Sequence, residues 1–509
     1  MRLKFFLTVL AIFILSIVFK AWNLNQMGRT WDEHALIERG YIDLQLVKQG
    51  NLSDPYWYKY PDHPPLANYL YGLASPLDLE GYTSKPVFQA YPYDKGQPIF
   101  HYDLTYTRLV SVFVSSLTVL LVILFGWRYI SFFTGVTSGI LLAMLPYFLG
   151  LSQLVTYETF TAFFFTAGVF AFIEFLKSNK IKFLIVAGIL GGLVLEVKQS
   201  NILFFPLVAL LYGVWFYVYK KKKLLTKRLL IHAALFGFVS LLTYFLIWPM
   251  PWFHLADFFS YTNHAWFSFS ESNTELFFGK VHHVPVFYYI INLLVTIPVG
   301  VLVIFFFGAW RVFKEKKWIF VVIFLWFAFP FIQSLYPFRQ SGLRYIIEIY
   351  PPFCLITAIG LDWIKNLKEK VLILFLLIVY LFVVLIKITP YYLDYFNELV
   401  GGPKTVYAYH LFDLGWWGQG EKEAAQYIAS HAPKGSTIGL ALDPIHTMQT
   451  FPEFTFIPYD KNKTYDYVVV NYFATIRGGV DEAPIQKKYK LVYTVYADGA
   501  ELVHVYKRR

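Results

Sequence analysis

Two adjacent carboxylates, Asp32 and Glu33, follow the first apolar stretch of the sequence, within "TWDEHALIERG". Thr30 and Glu33 have the spacing of a capping box, and acidic side chains are favoured at a helix N-terminus. A carboxylate at such a position can also take a proton from a hydroxyl as a general base. The residues alone leave both interpretations open. If Glu33 is engaged in the cap, Asp32 is the carboxylate left for chemistry.

Two further segments combine acidic residues with restricted backbone or apolar surroundings. In "YPDHPPLANYL" the prolines hold Asp62 and His63 extended, and this pair is suited to holding a metal ion or a phosphate. The alternative is a simple loop-to-helix junction. Glu158 begins an apolar run, "YETFTAFFF", where it is either a solvated cap or a functional acid.

Three basic residues lie at the ends of apolar runs: Lys198, Arg339 and Arg344. Lys198 can be explained as a side chain that reaches toward water, but Arg344 begins a span and needs an anionic partner there. Acids accompanied by Lys, Arg and His suit a phosphate-bearing lipid held at the membrane surface. A carboxylate would then accept the proton of an incoming hydroxyl.

The elements that position these residues follow from the composition. Of the 509 residues, 57% are hydrophobic and only 15% are charged, with a mean hydropathy of +0.49, as in a multi-pass membrane protein. The net charge of +11 falls in short clusters between apolar runs, which argues against nucleic acid as a partner and for membrane lipids. The single cysteine, Cys354, excludes an intrachain disulfide.

A membrane span needs about 20 mostly apolar residues, and a hydropathy window of that length predicts about eleven spans. They lie near 5–22, 106–126, 131–149, 156–176, 182–198, 201–219, 229–249, 284–308, 318–336, 345–363 and 371–389. Lys and Arg cluster near 177–182, 220–228, 311–317 and 365–370, all on the side of the N-terminus. The positive-inside rule therefore predicts a cell-membrane protein with a cytoplasmic N-terminus and an extracytoplasmic C-terminus.

The long loops are predicted to face outward. The loop 23–105 contains two amphipathic helices, and a second outer region covers about 250–283. The predicted domains are a transmembrane domain, 1–389, and a small extracytoplasmic α/β domain, 390–509. In the latter, "EKEAAQYIASHA" predicts a helix, "STIGLAL" and "YDYVVVNYF" predict strands, and Asp498 and Gly499 mark a hairpin.

The order of these features resembles a known family. The pattern consists of Asp32-Glu33 after the first span, "DHPPL" at 62–66, Glu158 at the head of the fourth span, and Arg344-Tyr345 opening a late span. It is similar to that of the polyprenyl-phosphate-sugar-dependent glycosyltransferases with the GT-C fold, in particular the protein O-mannosyltransferases and lipid A aminoarabinose transferases. "YYLDYFNELVGGP", 391–403, adds to the resemblance.

The resemblance implies a role for each matching residue. Asp32 would be the catalytic base, with Glu33 and Glu158 as the other acids of the catalytic site. His63, Lys198, Arg339, Arg344 and Tyr345 would bind the donor phosphate. Asp62 is the candidate ligand of a divalent metal, joined by His264, His282 or His283, although no tightly bound cofactor is expected.

The expected function is transfer of a sugar from a polyprenyl-phosphate donor to a hydroxyl of a protein, lipid or glycan by inverting single displacement. The chain has Glu158 where many members carry Asp, and it lacks the β-trefoil insert of the eukaryotic protein mannosyltransferases, so the acceptor stays open. The alternatives are a multi-pass lipid or solute transporter or flippase, and a non-catalytic scaffold. A transporter usually places its ionisable residues deep in paired inverted halves, whereas here they cluster at the outer ends of the spans.

Overall fold

The computed structural model describes residues 2–58, 63–78, 104–221, 227–267, 274–335, 342–443 and 445–509. Up to residue 388 the described chain is almost entirely helical. Its helices are α1 (Arg2–Ala21), α2 (Glu33–Lys48), α3 (Leu66–Asp78), α4 (Thr105–Tyr129), α5 (Phe132–Met144), α6 (Pro146–Ser152), α7 (Tyr157–Ser178), α8 (Ile181–Val197), α9 (Phe204–Val214), α10 (Lys227–Ile247), α11 (Met250–Phe253), α12 (Leu255–Phe267), α13 (Tyr288–Thr296), α14 (Val299–Glu315), α15 (Trp318–Ala328), α16 (Tyr350–Asp362) and α17 (Leu367–Ile388). A short hairpin, β1 (Thr274–Phe277) and β2 (Lys280–His283), follows α12.

The helical membrane architecture is as predicted, and several of the predicted spans are shorter or broken in the structure. In the described ranges, six helical stretches are long and apolar enough to cross a membrane, or seven if the pair α5 and α6 is one span bent by 68°. The predicted span 284–308 is instead broken into α13 and α14 at Pro298, and α8 has only 17 residues. A hydropathy window averages over such breaks, because it sees composition and not the loss of helical geometry at a proline.

Small residues let the helices that carry the polar residues approach closely. A Cβ built on Gly308 of α14 would lie 1.9 Å from the carbonyl oxygen of Ile356 in α16. Gly40 of α2 and Gly72 of α3 meet in the same way, with 2.0 Å between a Cβ built on Gly72 and the Gly40 oxygen. Close helix contacts of this kind depend on glycine, in keeping with the packing of membrane helices. The amphipathic pair α2 and α3, predicted from the loop 23–105, is therefore a tightly packed unit.

The tail, residues 390–509, contains α18 (Gly402–Ala408), α19 (Glu421–His431), α20 (Tyr472–Ile476) and α21 (Ala483–Lys488). Its strands are β3 (Thr437–Ala441), β4 (Thr455–Pro458), β5 (Tyr467–Asn471), β6 (Tyr489–Ala497) and β7 (Ala500–Arg508). They form one sheet in the order β4-β3-β5-β7-β6, in which β3 is parallel to both neighbours and β7 is antiparallel to β5 and β6. The predicted helix, the two buried strands and the final hairpin are all present.

Candidate active site

The N-terminus of α2 is fixed by a buried ion pair. Glu33 is fully buried, and Arg108 of α4 donates to both of its oxygens, Nε at 2.8 Å and Nη2 at 2.6 Å. The same carboxylate accepts the backbone N–H groups of Thr30 at 2.8 Å and Val155 at 3.0 Å. The bond from Thr30 is one half of the predicted capping box. Glu33 thus joins α2 to α4 and to the start of α7.

Asp32, directly before α2, faces a different partner. Its side chain makes no capping hydrogen bond, and its Oδ2 accepts Arg344 Nη1 at 3.1 Å. The Asp32 side chain is 41% exposed, whereas that of Arg344 is only 7% exposed. The pair therefore has a buried cation on one side and a carboxylate that solvent or a substrate can reach on the other. Two predicted site residues that are 312 positions apart are in direct contact.

Arg344 is surrounded by aromatic rings. It lies in a 3₁₀ segment, Gly342–Ile349, that leads into α16. Its guanidinium carbon is 5.1 Å from the ring centroid of Tyr345, 5.3 Å from that of Trp416 and 4.7 Å from that of Trp417. Within the described part of the chain, its Nε is buried and has no hydrogen-bond partner. The cation therefore keeps one N–H donor without a hydrogen-bond partner.

Lys198 and Glu158 extend this arrangement through Tyr345. Lys198 Nζ lies 3.8 Å from the Tyr345 ring centroid and 3.7 Å from Glu158 Oε1. Both side chains are mostly buried, at 13% and 8% exposure. Asp32, Arg344, Tyr345, Lys198 and Glu158 thus form one continuous set, which we call the charged row. Five of the predicted site residues belong to it.

His63 belongs to a neighbouring polar group on α2 and α3. Its ring lies 4.4 Å from that of Tyr157, the residue before Glu158. Tyr157 Oη donates to Asn68 Oδ1 at 3.0 Å, and Asn68 Nδ2 donates to Asp43 Oδ2 at 3.3 Å. Burial raises the pKa of Asp43 to about 7, although the Asn68 hydrogen bond and the charge of Arg39 act in the opposite direction. The predicted phosphate contact of His63 stays a prediction.

Five of the predicted residues lie outside the described part of the chain or on an exposed strand. Asp62, Arg339 and the side chain of His264 lie outside the described residues. His282 and His283 lie on the exposed strand β2. Among the side chains that are described, no three His, Cys, Asp or Glu residues come together as a metal ion requires.

Three participating residues were missed from the sequence. Arg108 lies within the apolar α4, and an arginine in a span is itself a signal, since it needs a partner to be tolerated there. Trp416 and Trp417 stand between glycines in "DLGWWGQG", ahead of α19. That spacing marks a tight loop but gives no sign that the loop reaches Arg344, which lies far away in the chain.

Comparison with known proteins places the chain among membrane glycosyltransferases. The family model for dolichyl-phosphate-mannose-protein mannosyltransferase matches residues 56–269. No curated protein matches the chain by sequence. Two crystal structures of ArnT from Cupriavidus metallidurans, apo and bound to undecaprenyl phosphate, are similar in fold, each with a TM-score of 0.53 over 97% of both chains. Their identities are 14% and 13%.

The apo oligosaccharyltransferase of Archaeoglobus fulgidus is a further neighbour, with a TM-score of 0.50 and 13% identity over 98% of this chain and 74% of that one. At these identities the structures establish the fold, and the family match adds the chemistry. Nothing in them favours a transporter. The predicted resemblance is confirmed: the match to the mannosyltransferase family model over residues 56–269 and the shared fold support a polyprenyl-phosphate-sugar-dependent membrane glycosyltransferase with the GT-C fold.

Proposed function

We propose that the charged row is the catalytic centre, where a sugar passes from a polyprenyl-phosphate donor to an acceptor hydroxyl with inversion at the anomeric carbon. The observation that carries the proposal is the Asp32–Arg344 contact at 3.1 Å. It joins an accessible carboxylate to a buried cation that still has an unused donor. A base and a phosphate-binding group therefore lie within one hydrogen bond of each other.

Asp32 is the carboxylate suited to act as the base. Glu33 accepts four hydrogen bonds and is fully buried, so its carboxylate has no face left for a substrate proton. Glu158 is 8% exposed and is paired with Lys198. Asp32 is the most exposed of the three, and the Glu33 network holds the backbone beside it. We assign Glu33 a positioning role and Glu158 the role of holding Lys198.

The proposed reaction conserves charge within the site. The donor phosphodiester carries one negative charge, and the departing polyprenyl phosphate monoester carries two. As the acceptor oxygen bonds to the anomeric carbon, the bond from that carbon to the phosphate oxygen breaks and the hydroxyl proton moves to Asp32. Asp32 loses its charge as the phosphate gains one, so Arg344 can exchange its carboxylate partner for the phosphate.

Lys198 is a second cation that can support the same exchange. Its ammonium and the Arg344 guanidinium both lie against the Tyr345 ring, at 3.8 Å and 5.1 Å from the centroid. The two cations are thus close in space, although they come from the ends of different helices. A phosphate at this point would meet two positive charges, and an arginine donates to phosphate oxygens with strong, directional hydrogen bonds.

The proposal includes a location. The positive-inside pattern of the loops supports an extracytoplasmic position for the charged row and the tail, at a cell membrane whose outer leaflet would anchor the polyprenyl chain of the donor. The acceptor is a hydroxyl on a protein, lipid or glycan.

The experiment uses the full-length protein in lipid vesicles with a polyprenyl phosphate that carries a radiolabelled sugar. Acceptor mixtures of protein, lipid and glycan are added separately, and the label is followed into each fraction together with free polyprenyl phosphate. We expect label to enter one fraction, with polyprenyl phosphate released in equal amount. Movement of intact donor across the vesicle membrane without release of polyprenyl phosphate would contradict the proposal and favour a flippase.

A further inference from the structure

The tail reaches into the charged row through one loop. Residues 409–420 connect α18 to α19, and they place the rings of Trp416 and Trp417 over Arg344, at 5.3 Å and 4.7 Å. The two indoles stack on each other with centroids 4.6 Å apart. Trp417 is buried, with 3% of its surface exposed. A residue of the helical bundle is therefore packed against two residues of the tail.

The loop that carries the indoles is held from both sides. The backbone N–H of Gly415 donates to Asp394 Oδ1 at 2.8 Å, and that of Trp417 donates to the side chain of Gln419 at 2.7 Å. Gly415 and Gly418 on either side of the indoles have φ of 63° and 91°, in the left-handed region that glycine adopts readily. The positions of the rings are thus determined by the loop itself as well as by the contact with Arg344.

Two of the buried arginines, Arg108 and Arg344, are held in different ways. Arg108 uses its donors on Glu33 and on the backbone carbonyls of Leu24 and Gly28, so little capacity remains for a ligand. Arg344 instead lies among three aromatic rings, which attract the cation but do not use up its N–H donors as carboxylate or carbonyl oxygens would. An arginine held in this way keeps hydrogen-bond donors with which it can bind an anion.

We propose that Trp416 and Trp417 are positioning residues, which orient Arg344 toward the donor phosphate and make the tail a working part of the donor site. The proposal rests on the proposed function of the charged row. Removing an indole leaves the charge of Arg344 in the site, but the orientation of its guanidinium group is no longer fixed. The affinity for the polyprenyl phosphate group should then fall.

The test compares Trp417→Ala with Trp417→Phe, which keeps a ring, and with Tyr427→Ala. Tyr427 forms another aromatic stack in the tail, with Tyr493 at 4.3 Å, and serves as a matched control. Binding of unlabelled polyprenyl phosphate in detergent micelles is measured for the full-length proteins. A cation–π contact corresponds to about a 2- to 30-fold change in affinity. We expect a loss in this range for Trp417→Ala, partial recovery for Trp417→Phe, and no change for Tyr427→Ala.

A double-variant comparison separates orientation of Arg344 from general damage. In an Arg344→Met background, Trp417→Ala should weaken binding no further, because the residue through which it acts is gone. Equal losses in both backgrounds, or no loss in the wild-type background, would overturn the positioning role. If the wild-type protein itself fails to bind polyprenyl phosphate, the proposed function of the charged row fails, and this inference fails with it.

Discussion

Neutralising Glu33 should damage the fold more than it damages any chemistry. In Glu33→Gln the buried Arg108 keeps its charge and loses its counterion, although a side chain of the same shape remains. Breaking a buried ion pair by removing one partner lowers the free energy of unfolding by about 3–5 kcal/mol. Asp32→Asn removes one half-exposed ion pair, for which about 1 kcal/mol or less is expected.

These free energies convert to measurable shifts in melting temperature. An unfolding entropy of about 2.1 cal/mol/K per residue gives about 1.1 kcal/mol/K for the 509 residues if the whole chain unfolds together. Glu33→Gln should then melt about 3–5 °C below the wild type, and Asp32→Asn within about 1 °C of it. The single cysteine, Cys354, is buried, so labelling by a thiol-reactive dye during a thermal ramp reports unfolding.

A control variant separates the lost counterion from the lost hydrogen bonds. In the double variant Glu33→Gln with Arg108→Gln, neither position of the former ion pair carries a charge. Part of the lost stability should therefore return. The reasoning would be refuted if Glu33→Gln melted with the wild type yet lost all transfer activity. In that case Glu33 would be a catalytic acid, as the family resemblance implies, and not the residue that fixes α2.

Two further results are expected. Arg344→Ala should raise the apparent dissociation constant for polyprenyl phosphate, because a buried cation with an unused donor is lost, and an unchanged constant in a direct binding assay would count against the assignment. Asp43 has a folded pKa of about 7, above the ordinary value of 3.8, so between these pH values the unfolded chain binds fewer protons and stability falls as pH rises. Asp43→Asn should show a smaller drop in melting temperature between about pH 5 and about pH 8, measured by circular dichroism; equal drops would contradict the raised pKa.

Local patterns in the sequence predicted local structure well. The hydrogen bond from the Thr30 N–H to Glu33, which is one half of the predicted capping box, is found, as are the amphipathic α2 and α3 and the hairpin at Asp498-Gly499. Each of these features depends on a few neighbouring residues. Whether each predicted span is one continuous helix was less predictable. Whether an apolar run stays one helix depends on breaks such as Pro298, and a hydropathy average does not register these breaks.

The candidate site was predicted as a set of residues but not as an arrangement. Asp32, Lys198 and Arg344 could be selected because ionisable groups at the ends of spans require partners. Which partner each one meets depends on tertiary packing between segments far apart in sequence. For that reason the Asp32–Arg344 contact, the Arg108 partner of Glu33 and the approach of Trp416 and Trp417 from the tail became evident only in the structure.

The most direct test of the central claim is Asp32→Asn, measured both for sugar transfer and for binding of polyprenyl phosphate. The amide that replaces the carboxylate cannot accept the hydroxyl proton, so transfer from the labelled donor should be abolished. Binding of polyprenyl phosphate should be as strong as in the wild type or stronger, because Arg344 no longer has a carboxylate as a competing partner. Near-normal transfer by Asp32→Asn would contradict the account, as would a loss of donor binding equal to the loss of activity.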